Sequence, residues 1–175
     1  MSKEKTTNIP IIMGFTENCP IRSDAEGDGS YGAKRGSRKH NGIDLKCRPG
    51  STVLSPVTGT VTKLGYPYLN GRGGFNDGEG AYRYVQVSTD RGTPDVKNHR
   101  MFYVEPSVKL GDRVRAGQII GSAQDVPRRY DELDDDGSVL NASVMQTHVH
   151  YEIMSKGRTF EDPEKFTFHR PPTEK

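Results

Sequence analysis

The run His148-Val149-His150-Tyr151-Glu152-Ile153 alternates strictly between polar and apolar side chains. A period of two belongs to a β-strand, because successive side chains leave opposite faces of the backbone. Val149, Tyr151 and Ile153 must then turn into a core. His148, His150 and Glu152 are left together on a surface or in a groove. Far upstream, His40-Asn41-Gly42-Ile43-Asp44 carries the same period. If extended, it puts His40, Gly42 and Asp44 on one side, with Gly42 leaving open space between two candidate ligands. Two histidines and an aspartate offer the nitrogen and oxygen donors that zinc favours, and three protein ligands with a fourth position open is the catalytic zinc pattern. A single histidine in a strand is usually an ordinary polar residue. Here three of the chain's five histidines fall into the two fragments, and that concentration points to a metal site.

The rest of the chain reads as all-β. Its 20 glycines and 11 prolines are spread throughout, and its apolar runs are short and alternating, as in a domain with many turns. Strands are expected at Val53-Leu54, Thr60 to Leu64, Tyr82 to Ser88 and Arg100 to Glu105, the last ended by Pro106. Further short strands, separated by Gly-Asp and Ala-Gly turns, follow from Val108 to Gly121. Gly65 to Gly80 is expected as a surface loop, and Asp131 to Gly137 as an exposed acidic loop without the ligand spacing of an EF-hand. The one helical expectation is a turn near Val126 to Leu133.

A length of 175 residues bounds the chain to one domain, and a hydrophobic fraction of 31% gives it a modest core. With 25 basic against 23 acidic residues, charge gives no argument for nucleic acid. The cluster Lys34, Arg35, Arg38 and Lys39 reads as a solvated loop that could flank a substrate groove, since it immediately precedes His40. No run is long enough for a membrane span, and Met1 to Thr7 are polar with no apolar segment behind them, so no secretion signal is expected. On composition alone, Cys19 and Cys47 are two free thiols.

With these pieces in order, the chain resembles the lysostaphin-type zinc endopeptidases. That family places an H-x-x-x-D before a P-G-x-x-V-x-x-P-x-x-G-x-V turn, matched here by Pro49 to Val61. Its V-x-x-G-D-x-V-x-x-G-Q-x-I-G ribbon is matched, with a one-residue variation at the start, by Val108 to Gly121. Its H-x-H-x-E strand and trailing D-P correspond to His148 to Ile153 and Asp162-Pro163. Lys46 to Ser51, Tyr66 to Asn70 and Met101 to Pro106 are similar to the leukocyte cell-derived chemotaxins, a branch that keeps the fold and the zinc but is not known for peptidase activity.

The resemblance implies a duplicated hybrid motif, an antiparallel β-sandwich and ribbon domain with long loops and a zinc groove. It sets residues 30–166 as that domain, 1–29 as an N-terminal extension tied on by Cys19, and 167–175 as a tail. It implies Zn2+ held by His40, Asp44 and His150, with His148 as a catalytic-type histidine beside the metal and a Cys19–Cys47 disulfide. Active members carry a second catalytic histidine in a Y-x-H segment. Here the segment is Tyr103-Val104-Glu105, so Glu105 stands in its place as a candidate base, and His99, six residues upstream of Glu105 at a strand start, is not its replacement. The implied ligand is the peptide cross-bridge of bacterial peptidoglycan. The expected function is a zinc-binding, peptidase-like domain with weak or lost hydrolysis, in a virion tail or wall-binding role that needs no signal-directed export and involves other tail proteins. The alternative is an active endopeptidase. Phosphate-carrying sugar-transfer proteins and lipoyl carriers share the ribbon architecture, but neither uses the H-x-x-x-D pair.

Overall fold

The computed structural model describes residues 3–15, 18–68, 82–90, 96–155 and 157–168. Most of the expected loop from Gly65 to Gly80 and of the C-terminal tail lies outside the described residues. Ten strands make two antiparallel sheets: β1 (Ile43–Lys46), β2 (Thr52–Leu54), β3 (Gly59–Gly65), β4 (Tyr84–Ser88), β5 (Lys97–Phe102), β6 (Val104–Pro106), β7 (Arg113–Val114), β8 (Ile119–Ala123), β9 (His148–Ser155) and β10 (Thr159–Glu161). The larger sheet runs β7-β3-β4-β5-β9-β10, with β1 also on β9, and the smaller runs β6-β8-β2. β9 organises the larger sheet. One edge pairs with β5, and the other pairs with β1 through His148 to Tyr151 and with β10 through Ile153 to Ser155.

The alternation of β9 is expressed as expected. Val149, Tyr151 and Ile153 are fully buried and meet Ile43, Leu45, Val85 and Met101 in one core. Each such side chain contributes about 1.5–3 kcal/mol through burial. The acidic loop is exposed at the tip of a small hairpin, Glu132–Leu133 with Val139–Asn141. The expected helical turn is a 3-10 segment, Val126–Tyr130, opened by a proline.

Three features depart from the sequence expectations. The N-terminal segment is built into the domain rather than appended to it. Ile9, Ile11, Ile12 and Ile21 are buried in the same core, and Ile12 and Ile21 bridge to Val53 and Leu45. Second, the strand expected from Arg100 to Glu105 is broken at Tyr103, which has φ 66. This left-handed residue lets the chain leave the larger sheet as β5 and enter the smaller as β6, an uncommon conformation for a bulky side chain. Third, Gly42 does not provide open space between ligands. A Cβ there would overlap the Tyr151 carbonyl oxygen, so the glycine lets the start of β1 lie tight against β9.

Candidate metal centre

Antiparallel pairing of β1 with β9 sets Asp44 directly opposite His150. His40 arrives from just outside β1, after a hairpin formed by Lys34–Arg35 and Arg38–Lys39. The three side chains converge. His40 Nε2 lies 3.0 Å from His150 Nδ1 and 3.2 Å from Asp44 Oδ1, and His150 Nδ1 lies 2.9 Å from Asp44 Oδ1. These separations approach the edge of a tetrahedron built on zinc–ligand bonds, about 3.3 Å.

Each donor is braced from behind. His40 Nδ1 donates to the Ser30 carbonyl at 3.0 Å, leaving Nε2 as a lone pair toward the cluster. His150 Nε2 donates to Glu152 Oε2 at 3.1 Å, which leaves Nδ1 as the second lone pair. Asp44 Oδ2 accepts from Arg22 Nη1 at 3.0 Å while Oδ1 faces the histidines. Such outer partners fix ring orientation and raise ligand basicity at metal sites. With both rings in these neutral tautomers three acceptors face one another, so the centre needs a proton or a cation between them.

The electrostatics carry the same message. Burial opposes the Asp44 carboxylate, but the nearby His148 and the hydrogen bonds of His150 and His40 hold it well below its usual range. Burial also opposes charge on His150, yet Asp44 and Glu152 push it up to about 9. A proton can thus fill the electron-rich centre, and a metal that takes its place would release it.

His148 stands beside the cluster, its Nε2 3.8 Å from Asp44 Oδ2 and its Nδ1 donating to the Gln146 carbonyl at 2.7 Å. Burial, partly offset by Asp44, pushes its pKa down and favours the neutral ring. The cluster sits in a groove of about 840 Å³ lined also by Arg22, Arg35, Arg38, Lys39, Tyr68, Phe102, Tyr103, Tyr130 and Glu152.

Glu105 does not join them. It is exposed, its carboxylate accepts from Gln124 at 3.4 Å, and it is not among the groove-lining residues. The left-handed turn at Tyr103 is the reason. It brings Phe102 and Tyr103 both to the groove and sends β6 to the other sheet. Tyr103 sets its ring edge-on to His148, 5.5 Å between centroids. Burial pushes its hydroxyl up to about 12, so it is a proton-bearing donor at neutral pH. His99 is no substitute either: it is fully buried and bonded to Tyr151.

Sequence reasoning missed Arg22 and Tyr103. Arg22 is 4% exposed and grips Asp24 through Nε and Nη2 while holding Asp44 through Nη1. Its signal in the sequence was slight, an arginine after a buried isoleucine in a segment read as an extension. Cys19 and Cys47 are free thiols in the structure, so the implied disulfide is not formed. Burial raises them to about 11 and about 12, with Cys19 adding to the effect on Cys47.

Antiparallel sheets with a His-Asp-His cluster in a groove are the arrangement of a metallopeptidase-type domain. The chain belongs to peptidase family M23, whose family profile matches residues 38–162. It is 29% identical over 142 residues to leukocyte cell-derived chemotaxin-2 of Bos taurus, covering 81% of this chain and 78% of that protein. Among solved structures, a variant of the catalytic domain of the prophage-encoded M23 protein EnpA from Enterococcus faecalis superimposes with a TM-score of 0.51 at 19% identity, covering 83% of this chain and 90% of that one. A zinc containing peptidase from Vibrio cholerae gives a TM-score of 0.55 at 19% identity, covering 95% of this chain and 41% of that one. The resemblance read from the sequence, both to the lysostaphin-type family and to the chemotaxins, is borne out, and so is the all-β fold.

Proposed function

We propose that this chain is a zinc-holding M23 domain directed at the peptide cross-bridges of bacterial peptidoglycan, with weak or lost hydrolysis. The observation that carries it is a complete donor set, His40, Asp44 and His150, beside a single further imidazole. Among the described residues the groove holds no histidine besides His148 and the two donors, His40 and His150. When bound, zinc would polarise a carbonyl and acidify a water at this position. The chain's own contribution is to fix the two histidine tautomers through Ser30 and Glu152, to hold Asp44 through Arg22, and to place neutral His148 as a proton acceptor. Loss of one of two general acid–base groups typically costs a hundredfold or more in rate, while the metal-holding atoms are untouched.

The setting we propose is a virion tail or another wall-contacting assembly. Support comes from the prophage-encoded relative of the same fold. A second reading, an active endopeptidase, rests on Tyr103, whose protonated hydroxyl belongs to a ring packed on His148. Metal analysis of purified protein together with clearing of a purified peptidoglycan suspension tests both. The main reading expects one zinc per chain and little clearing. Rapid clearing that is lost in His148→Ala selects the endopeptidase, and absence of zinc removes both.

We also propose that Cys19 and Cys47 become bridged in an oxidising setting. The isolated Ile21–Leu45 bridge brings the two segments together two residues from each cysteine, and the two thiols are close enough for Cys19 to act on Cys47. Their raised pKa values leave little thiolate, so oxidation would be slow without a catalyst. Closing a loop of about 28 residues is worth roughly 3 to 4 kcal/mol in the chain-entropy model. Two reactive thiols in denatured, non-reduced protein from its native setting would exclude the bridge.

A further inference from the structure

The groove has two chemically different walls. One is aromatic, formed by Tyr68, Phe102, Tyr103 and Tyr130; the other is the hairpin that delivers His40, from which Arg35, Arg38 and Lys39 face the groove. Its register is unusual. Lys34 opposes Lys39 and Arg35 opposes Arg38, so both cross-strand pairs are cation against cation, an arrangement that destabilises a hairpin. Nothing nearby offsets it fully. Arg38 and Lys39 are exposed and form no side-chain ion pair among the described residues. Arg35 reaches Asp44 Oδ2 and the Lys34 carbonyl only at 3.5 Å each, so most of its donors are unspent. Of the groove's carboxylates, Asp44 is paired with Arg22 and Glu152 with His150 and Arg100, while Glu26 accepts from the Ser143 hydroxyl and keeps its charge against the four cations of the hairpin. A dication at the cluster would make the groove more positive still.

We propose that this hairpin is a carboxylate-reading wall: the groove takes a peptide with a free side carboxylate placed toward Arg35, Arg38 and Lys39, and prefers it to the same peptide with that group amidated. This deepens the peptide-groove reading above and rests on it. The chemistry is selective because a carboxylate accepts the fork of an arginine bidentately and an amide cannot. An amide also leaves like charges facing one another across the hairpin. The inference therefore concerns which cell-wall peptides are recognised, those with free glutamate carboxyls over amidated ones.

The test is calorimetric binding of two synthetic tetrapeptides, L-Ala-γ-D-Glu-L-Lys-D-Ala with the glutamate α-carboxyl free or amidated, to the full chain loaded with zinc. The expected result is about tenfold tighter binding of the free acid at low salt, shrinking as salt rises. The double variant Arg38→Gln, Lys39→Gln should lose the preference while binding the amidated peptide as before. It should also melt no lower than wild type, because like-charge opposition is relieved. Equal affinity of wild type for both peptides, a preference that survives in the double variant, or binding of neither peptide would each overturn the proposal. Zinc content is measured on the same samples. Failure to hold zinc sinks the metal reading alone, because acid-over-amide preference is still read on the protein as purified.

Discussion

Replacing His99 by glutamine should remove a pH dependence of stability that has nothing to do with the metal centre. His99 lies on the core side of β5, fully buried, with Nδ1 2.6 Å from the Tyr151 hydroxyl and Nε2 without a hydrogen-bond partner among the described residues, beside the edge-on ring of Phe166. Burial, and then the nearby Lys97, hold its pKa down to about 3, against about 6.5 in an unfolded chain. Between those values the unfolded state carries the extra proton, so stability rises with pH there. The contribution is complete above pH 6.5 and is lost progressively as pH falls toward 3. At about 1.4 kcal/mol per pH unit, the loss reaches about 2 kcal/mol by pH 5. Glutamine can still accept from the Tyr151 hydroxyl but cannot titrate. Urea unfolding followed by far-ultraviolet circular dichroism, with a chelator present so that metal release does not contribute, gives the two stabilities at each pH. The gap between wild type and His99→Gln should narrow by about 2 kcal/mol from pH 8 to pH 5, all other titrating groups being shared. A gap that stays constant would refute the claim that His99 is held neutral in the core.

Gly42→Ala should cost about 1–3 kcal/mol of stability, as overpacking does, and should reduce bound zinc, because the Tyr151 carbonyl must be pushed away and with it the register that sets Asp44 opposite His150. Thermal melting and metal analysis of one sample check both. Glu152→Gln leaves the fold intact but removes the carboxylate behind His150. Competition with a chelator should show zinc affinity lowered about 10- to 100-fold. Arg22→Met strands the carboxylates of Asp24 and Asp44 in a buried place and should destabilise by about 3–5 kcal/mol; a loss under 1 kcal/mol on urea unfolding would remove Arg22 as the anchor of the centre.

Much of the donor set was visible in the sequence because two-residue periodicity is a local property. Val149, Tyr151 and Ile153 had to be buried, and that decided where His148, His150 and Glu152 would point. What brings β1 and β9 together is pairing over a long sequence separation, and only the resemblance to a known family supplied it. The role of Gly42 was misread for the same reason: the atom it makes room for belongs to Tyr151, which no local pattern names. Tyr103 was missed because Met101 to Glu105 alternates acceptably as one strand. The left-handed residue is imposed by a change of sheet, with Tyr103 N donating to the Arg83 carbonyl at 2.8 Å and Gln124 N donating to the Tyr103 carbonyl at 2.8 Å. Arg22 was hidden because its neighbours in space, Asp24 and Asp44, reveal their need for a cation only once both are known to be buried.

The layout of the centre also explains how metal binding and hydrolysis can separate in such a domain. The groups that position the donors, Ser30, Glu152 and Arg22, bond the atoms of His40, His150 and Asp44 that do not face the cluster. Their effect on ring tautomer and carboxylate orientation does not depend on what stands across the groove. Proton transfer, in contrast, depends on the groups facing the substrate: His148, Tyr103 and whatever the β5-to-β6 turn presents. The left-handed backbone at Tyr103 decides which side chains the β5-to-β6 turn brings to the groove, and it lies apart in sequence from the residues that position the donors. A chain can therefore keep its donor cluster and its groove while its chemistry fades, and the groove is then free to serve recognition, for which the paired cations of the Lys34–Lys39 hairpin are better suited than for catalysis.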